Sequence, residues 1–323
     1  MTKLVYILAA SHSGSTLLTM LLNSHPEAAT IGELSPGHME DISKYLCSCG
    51  CPILKCEFWK YITSAMRKCG IEFNMENFGT QFSLPDSHIA TKLLKPLHRG
   101  PALELLRDMG LHLLTNWPSK VSEIMQTNSN LISAILDYYH ANVFIDKGNR
   151  ALRLKFLLSN PSFDIKVIRL IRDGRAVALT YMDPAGFADA QDKKKRGGGT
   201  GEQREKERLD MKQAAYQWRR CNEEAEHILA RLDKSPWIEI QYEQLCKDTD
   251  KTLDRIFDFI GLDPEKKIKD FRSIEHHVVG NGMRLDTTSE VHLDERWRKE
   301  LTEQDIKIFE STAGKMNRKY EYE

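Results

Sequence analysis

The chain has 323 residues, and its 46 Lys and Arg are balanced by 46 Asp and Glu, so the formal net charge is zero. This balance argues against a general nucleic-acid or anionic-membrane binder, because such binding depends on clustered positive charge. Hydrophobic residues make up 41% and charged residues 28% of the chain, a globular composition that excludes wholesale disorder. No apolar run approaches the ~20 residues that a membrane-spanning helix needs.

Short apolar runs alternate with helical patterns along the chain, which is typical of a parallel sheet covered by helices. Leu4–Ala10 predicts a buried strand, followed by a turn and by a helix that ends near Pro26, because proline disfavours helix in the residue before it. A short strand is predicted at residues 29–31. Residues 37–140 carry a Cys-rich loop and several predicted helices, and we interpret them as a helical insertion between two strands.

The second half of the chain repeats this alternation. Further strands are predicted at residues 142–146, 165–171 and 237–240, and further helices at 152–157, 176–181, 211–232, 253–260 and from 302 onward. Between them, residues 184–207 contain four basic residues followed by three glycines, which predicts a flexible surface loop. The fold class predicted is a single three-layer α/β domain with four or five parallel strands flanked by helices.

The first strand is followed by a turn whose residue types suit an anion. Gly14 lies in this turn at the start of a helix, where free backbone N–H groups and the helix dipole favour negative charge. Ser13, Ser15 and Thr16 add hydroxyl donors. The ATPase pattern G-x-x-x-x-G-K-[ST] is absent, because no Lys precedes Ser15 or Thr16. A plain link between strand and helix is the alternative interpretation.

Two separated stretches resemble one known family. Ser13–Leu18, followed by His25-Pro26 and Gly32-Glu33, looks like the 5′-phosphosulfate loop of sulfotransferases that use 3′-phosphoadenosine 5′-phosphosulfate (PAPS). Val167–Ala178 resembles the 3′-phosphate segment of the same family, a strand ending in Arg-Asp-x-Arg, and Thr180 stands where the family usually has Ser. The resemblance implies a P-loop NTPase-like fold over residues 1–323 and PAPS as the donor.

The resemblance also implies roles for individual residues. The implied donor-binding residues are His12, Ser13, Gly14, Ser15, Thr16, Leu17, Arg172, Thr180 and Arg284. Lys147 is the implied catalytic cation, assisted by His12, which replaces the family's usual Lys or Arg before the Ser-Gly pair. Glu33 is the implied base that takes the proton of the acceptor.

Structural roles remain as alternatives for these residues. Arg172 could form a surface ion pair with Asp173, and Lys147 could be a solvated loop lysine. Glu33 could hydrogen-bond the acceptor without acting as the base. Arg284 could lie in a solvated loop, since the Gly and Asn residues before it form turns without a ligand.

The function implied is transfer of a sulfonate group to a hydroxyl or amine of a small-molecule acceptor, such as a natural product or metabolite. We expect residues 37–140 to lie on the acceptor side of the site and the loop 184–207 to act as a lid beside it. The alternatives are a nucleotide kinase-like phosphotransferase and a noncatalytic interaction module on the same fold. We expect no nucleic-acid or membrane partner and no metal requirement for the transfer. A homodimer is left open.

Seven cysteines in a chain of this length do not require a disulfide scaffold, so we expect a reduced, cytoplasmic protein. Cys47, Cys49, Cys51 and Cys56 lie within ten positions and could bind zinc or pair as disulfides. Their spacing matches two C-x₂₋₄-C knuckles poorly, which favours buried or redox-sensitive thiols over a metal site.

Overall fold

The structure is a computed structural model that describes residues 1–35, 42–94, 101–187, 190, 195, 208–232 and 236–322. Its centre is a sheet of five parallel strands in the order β2-β3-β1-β4-β5. The strands are β1 (Thr2–Ala9), β2 (Ala28–Ala29), β3 (Val143–Asp146), β4 (Phe163–Ile171) and β5 (Trp237–Gln241). The predicted α/β fold with a parallel sheet is therefore confirmed.

Helices occupy most of the chain between and after the strands. They are α1 (Ser15–Leu22), α2 (Glu57–Lys68), α3 (His88–Leu93), α4 (Pro101–His112), α5 (Trp117–Tyr139), α6 (Ala151–Leu158), α7 (Gly174–Met182), α8 (Pro184–Phe187), α9 (Met211–Leu229), α10 (Tyr242–Lys247), α11 (Thr249–Ile260), α12 (Trp297–Glu300) and α13 (Glu303–Lys319). Short 3₁₀ turns lie at Ile53–Lys55, Pro264–Lys266 and Gly282–Leu285. None of the helices in the described ranges has both the length and the apolarity to cross a membrane.

The segment predicted as a flexible loop, residues 184–207, begins with the short helix α8. Of the rest of this segment, residues 188–189, 191–194 and 196–207 lie outside the described residues, the three consecutive glycines among them. The loop and its role as a lid therefore stay predictions.

The two faces of the sheet are covered by different helices, because successive side chains of a strand point to opposite faces. In β1, the even-numbered residues from Leu4 to Leu8 pack in a core cluster with residues of α2, α5 and α6. The odd-numbered residues from Val5 to Ala9 pack in a second cluster with α1 and α11. Both faces of the sheet are therefore buried, which explains why β1 is a continuous apolar run instead of an alternating one.

A buried ion pair fixes the end of β3. Asp146 is fully buried, and its Oδ2 lies 3.1 Å from Nε of Arg153 in α6. Arg153 also donates to the carbonyl of Thr80 at 2.8 Å and to Oδ1 of Asn128 at 2.7 Å. Burial raises the pKa of Asp146 despite the neighbouring Arg153 guanidinium. The network connects β3, α5, α6 and the loop at Thr80, and it holds the residue that follows Asp146 in a defined place.

We predict that Arg153→Met lowers the free energy of unfolding by about 3–5 kcal/mol, because removal of one partner leaves the other charge buried and uncompensated. Denaturant unfolding followed by circular dichroism measures the change. Lys155→Met is the matched control on the same helix. Its half-buried pair with Asp108 should contribute no more than about 1 kcal/mol. Equal effects of the two substitutions would contradict a structural role for the Asp146–Arg153 pair.

Candidate active site

A cleft of about 1270 Å³ opens at the carboxyl ends of the central strands. The sheet order places β1 between β3 and β4, so the loops after these three strands lie side by side. Among the residues predicted from the sequence, those that line the cleft are His12, Gly14, Ser15, Thr16, Leu17, Glu33, Lys147, Arg172 and Thr180. The position agrees with the general tendency of α/β folds to bind ligands at this edge of the sheet.

The turn after β1 forms the floor of the cleft. Gly14 is the N-cap of α1 and has a φ of 87°, which favours glycine. A Cβ on Gly14 would also lie only 2.3 Å from the ring of Tyr242, so a side chain has no space there. The hydroxyl of Ser13 is buried and has no hydrogen-bond partner among the described residues. Ser13 itself does not line the cleft, so the donors that the turn offers to an anion there are the free N–H groups of the first helical turn.

Lys147 follows β3 directly and extends toward this turn. Its Nζ donates to Oγ1 of Thr16 at 3.0 Å and lies 2.7 Å from Oε1 of Glu33. The Lys147 side chain is only 3% exposed, whereas that of Glu33 is 27% exposed at the cleft. Gly280 approaches so closely that a Cβ on it would lie 3.2 Å from Nζ of Lys147. The structure thus brings the predicted cation and the predicted base together beside the predicted anion-binding turn.

Arg172 follows β4 and reaches the same turn from the other side. Its Nη1 donates to the carbonyl of His12 at 2.9 Å, and its Cζ lies 4.4 Å from the centre of the Tyr242 ring. Its Nη2 lies 2.9 Å from Oδ2 of Asp294. The alternative ion pair with Asp173 is not formed among the described residues, because Asp173 instead pairs with Arg175 at 2.8 Å.

Thr180 and His12 also lie at the cleft, each in contact with another part of the protein. Thr180 is buried at the cleft and donates to the carbonyl of Ala176 at 3.1 Å, one turn earlier in α7. The ring of His12 lies 4.6 Å from that of Tyr181 in an edge-on arrangement, and His12 has a positive φ of 66°.

Arg284 does not line the cleft. It is 1% exposed, and its guanidinium donates to the carbonyls of Gly280 and Leu46, each at 2.7 Å. Its Cζ also lies 4.6 Å from the centre of the Tyr45 ring. Arg284 therefore connects two loops in the described structure, and no contact there supports the predicted role in phosphate binding.

Sequence reasoning missed Asp294 and Arg296, which also line the cleft. Burial alone would raise the pKa of Asp294, but hydrogen bonds from Arg296 and the charge of Arg172 hold it below its usual range. Asp294 is therefore a carboxylate at neutral pH and balances the Arg172 guanidinium. The polar segment around it carries no motif, so no local signal pointed to this contact.

The parallel sheet, with a glycine turn between its first strand and α1, defines a P-loop-like α/β protein. Residues 123–266 match the model of a sulfotransferase family. The family resemblance seen in the sequence is therefore confirmed over this segment, which is less than half of the chain. Lys147 and Arg172 lie within it, whereas the Ser13–Thr16 turn and Glu33 precede it.

Two curated proteins that are similar to the chain are named carbohydrate sulfotransferases. The chain is 26% identical over 133 residues to carbohydrate sulfotransferase 1 of Danio rerio, a match that covers 40% of this chain and 30% of that protein. It is 25% identical over 189 residues to carbohydrate sulfotransferase 2 of Mus musculus, with 48% and 34% coverage. The chain thus spans about a third of the length of these relatives.

Solved structures also resemble the chain. The sulfotransferase domain from the curacin biosynthetic pathway has 17% identity and a TM-score of 0.44, covering 98% of this chain and 90% of that one. A sulfotransferase of Mycobacterium avium has 12% identity and a TM-score of 0.47, with 100% and 78% coverage.

Proposed function

We propose that the protein transfers a sulfonate group from PAPS to a hydroxyl or amine of a small-molecule acceptor. The observation that carries this proposal is the contact of the buried Lys147 ammonium with Thr16 on one side and Glu33 on the other. A cation is thereby held beside an anion-binding turn, and a carboxylate lies next to it at the open side of the cleft. Sulfonate transfer needs these three elements close together.

The donor has an anionic group at each end, and the cleft offers cationic or donor groups at two places. In our proposal, the turn from Ser13 to Thr16 holds the phosphosulfate. Arg172 and the hydroxyl of Thr180 hold the 3′-phosphate, for which a planar guanidinium is a strong partner. The 3′-phosphate would take the place of the Asp294 carboxylate as the anionic partner of the Arg172 guanidinium.

The proposed step is an in-line displacement at sulfur. The acceptor oxygen or nitrogen forms a bond to sulfur while the bond from sulfur to the bridging phosphate oxygen breaks. The electron pair of that bond stays on the phosphate of the departing 3′-phosphoadenosine 5′-phosphate (PAP), where Lys147 stabilises the developing charge, assisted by His12. The acceptor proton passes to the Glu33 carboxylate. No residue in this step needs a metal ion.

The acceptor is proposed to bind where the cleft is lined by apolar side chains. Phe82 and Phe156 line it with their ring centres 4.8 Å apart, and Phe187 lines it near Arg296. Such a surface fits a small molecule with a flat or ring-shaped apolar face. The curated relatives are named for carbohydrates, so a sugar hydroxyl is one member of the proposed acceptor class. A cytoplasmic location and a homodimer stay predictions.

Calorimetry with two nucleotides tests the proposal against its alternatives. We expect PAP to bind more tightly than ATP, because only PAP carries the 3′-phosphate that Arg172 is proposed to hold. A transfer assay with labelled PAPS and a panel of sugars, phenols and amines then identifies the acceptor class. Tighter binding of ATP would instead favour a phosphotransferase, and no binding of either nucleotide would favour a noncatalytic module.

We predict that Arg172→Ala weakens binding of PAP much more than binding of adenosine 5′-phosphate, which lacks the 3′-phosphate. The expected loss is about 1.5–3 kcal/mol, the usual contribution of a charge-assisted hydrogen bond. Calorimetry of both ligands on both proteins measures it. Arg296→Ala is the control, since Arg296 also pairs with Asp294 but is about half exposed. Equal losses for the two nucleotides in Arg172→Ala would contradict the assignment of the 3′-phosphate site.

We predict that Lys147→Ala lowers kcat while largely sparing the affinity for PAP, because its charge acts most strongly as charge develops on the leaving phosphate. Steady-state kinetics and calorimetry separate the two effects. Lys166→Ala serves as the control, because Lys166 does not line the cleft and bonds to the carbonyl of Phe259. If only PAP affinity falls, Lys147 is a binding residue and His12 becomes the better candidate for the catalytic cation.

A further inference from the structure

A cluster of three cysteines and one histidine lies outside the cleft. The donor atoms of Cys47, Cys49, Cys56 and His277 all lie within 4.8 Å of one another. Nδ1 of His277 is 3.5 Å from Sγ of Cys47 and 3.4 Å from Sγ of Cys56, and Sγ of Cys49 is 3.7 Å from that of Cys56. Three thiol sulfurs and one imidazole nitrogen thus lie close enough together to share one metal ion.

We propose that Cys47, Cys49, Cys56 and His277 bind a structural zinc ion. Zinc takes thiolate ligands at about 2.3 Å and imidazole nitrogen at about 2.0–2.1 Å, which places the ligand atoms of a tetrahedron about 3.5–3.8 Å apart. The three distances above, between 3.4 and 3.7 Å, are close to these edges. A Cys₃His set is one of the usual closed sets of structural zinc sites, with no position left for water or substrate.

Burial and ring stacking hold the side chains of the cluster in position for a metal ion. Cys47, Cys56 and His277 are buried, and the His277 ring stacks on Phe58 with its plane within 3° and its centre 4.4 Å away. This contact fixes the direction of the imidazole. Cys51 is exposed and is not part of the cluster, although it lies in the same turn. The selection of three thiols out of four, completed by a histidine, distinguishes the cluster from a chance accumulation of cysteines.

A disulfide explains the arrangement less well. All the cysteines named here are free in the structure, and a disulfide needs its sulfurs about 2.05 Å apart. A bond between Cys49 and Cys56 would also use only two of the four groups and leave Cys47 and His277 outside it, in contact with each other at 3.5 Å. A metal ion satisfies all four groups at once. The sequence interpretation, which favoured thiols without a metal, did not include His277, because this residue is 221 residues or more from the cysteines.

The zinc site would join the Cys-rich turn to the segment that reaches the cleft. The backbone beside His277 already bonds to this turn, since Ser48 donates to the carbonyl of His276 at 2.6 Å and accepts from the N–H of Val278 at 2.7 Å. Two residues further, Gly280 lies against the pair, since a Cβ on it would be 3.2 Å from Nζ of Lys147 and 3.4 Å from Oε1 of Glu33. The proposed metal therefore holds in place the segment that covers the Lys147–Glu33 pair, without touching the reacting groups.

Metal analysis of the purified, reduced full-length protein tests the proposal, with a readout independent of activity. We expect about one zinc per chain after exposure to Zn²⁺ and removal of the excess. Cys56→Ser and His277→Ala should each bind far less zinc, whereas the control Cys51→Ser should keep the wild-type content. Chelation of the wild-type protein should lower its melting temperature.

Cobalt substitution of the wild-type protein keeps the test valid even if the variants fail to fold. Co²⁺ bound by three thiolates in a tetrahedron should give intense visible absorption bands, and added Zn²⁺ should abolish them. Uptake of neither Zn²⁺ nor Co²⁺ by the reduced wild-type protein would overturn the proposal. Zinc loss in Cys51→Ser equal to that in Cys56→Ser would also overturn this ligand set. Neither result would bear on sulfonate transfer, which is measured separately.

Discussion

The site depends on the parallel packing of β3, β1 and β4, because this arrangement alone brings three loops distant in sequence to one edge of the sheet. In the register of the sheet, Asp146 lies opposite Tyr6, so β3 ends before β1 does. The shorter strand leaves room for the Lys147 side chain to reach the turn after β1. The buried Asp146–Arg153 pair then prevents this strand end from shifting. The position of a single ammonium group therefore rests on packing and on charge pairing deep in the core.

Charge in the cleft is balanced before any ligand binds. Lys147 is paired with Glu33, and Arg172 with Asp294. Each cation is nearly buried, and a buried charge without a partner is costly, so the carboxylates keep the cations stable in the free protein. An incoming anion therefore exchanges with a carboxylate instead of entering an open positive field. The net gain from each contact is the difference between two pairings, which favours an anion of higher charge and better geometry than a carboxylate.

Local patterns in the sequence were sufficient for the strands, for most helices and for the turn at Gly14. Apolar runs and glycine positions are set by neighbours along the chain, and the resemblance to sulfotransferases then pointed to Lys147 and Glu33. Contacts between residues that are distant in sequence could not be predicted from these local patterns. Asp294 is 122 residues from Arg172, and nothing in its own segment identifies it as a partner. The burial of Arg284 could not be predicted for the same reason, since its polar neighbours allowed a solvated loop, whereas tertiary packing buries it between two loops.

The separation between Cys47 and His277, which is 230 residues, also affects how the protein is made. A ribosome adds roughly 5–20 residues per second, so the cysteines leave it on the order of ten seconds or more before the histidine exists. During this interval three thiols are present without the ring that packs among them in the finished structure. The turn that contains them cannot reach its final contacts until the segment around His277 has been synthesised. Completion of this corner of the fold is thus a late event, and a nascent chain is most exposed to oxidation of its thiols before then.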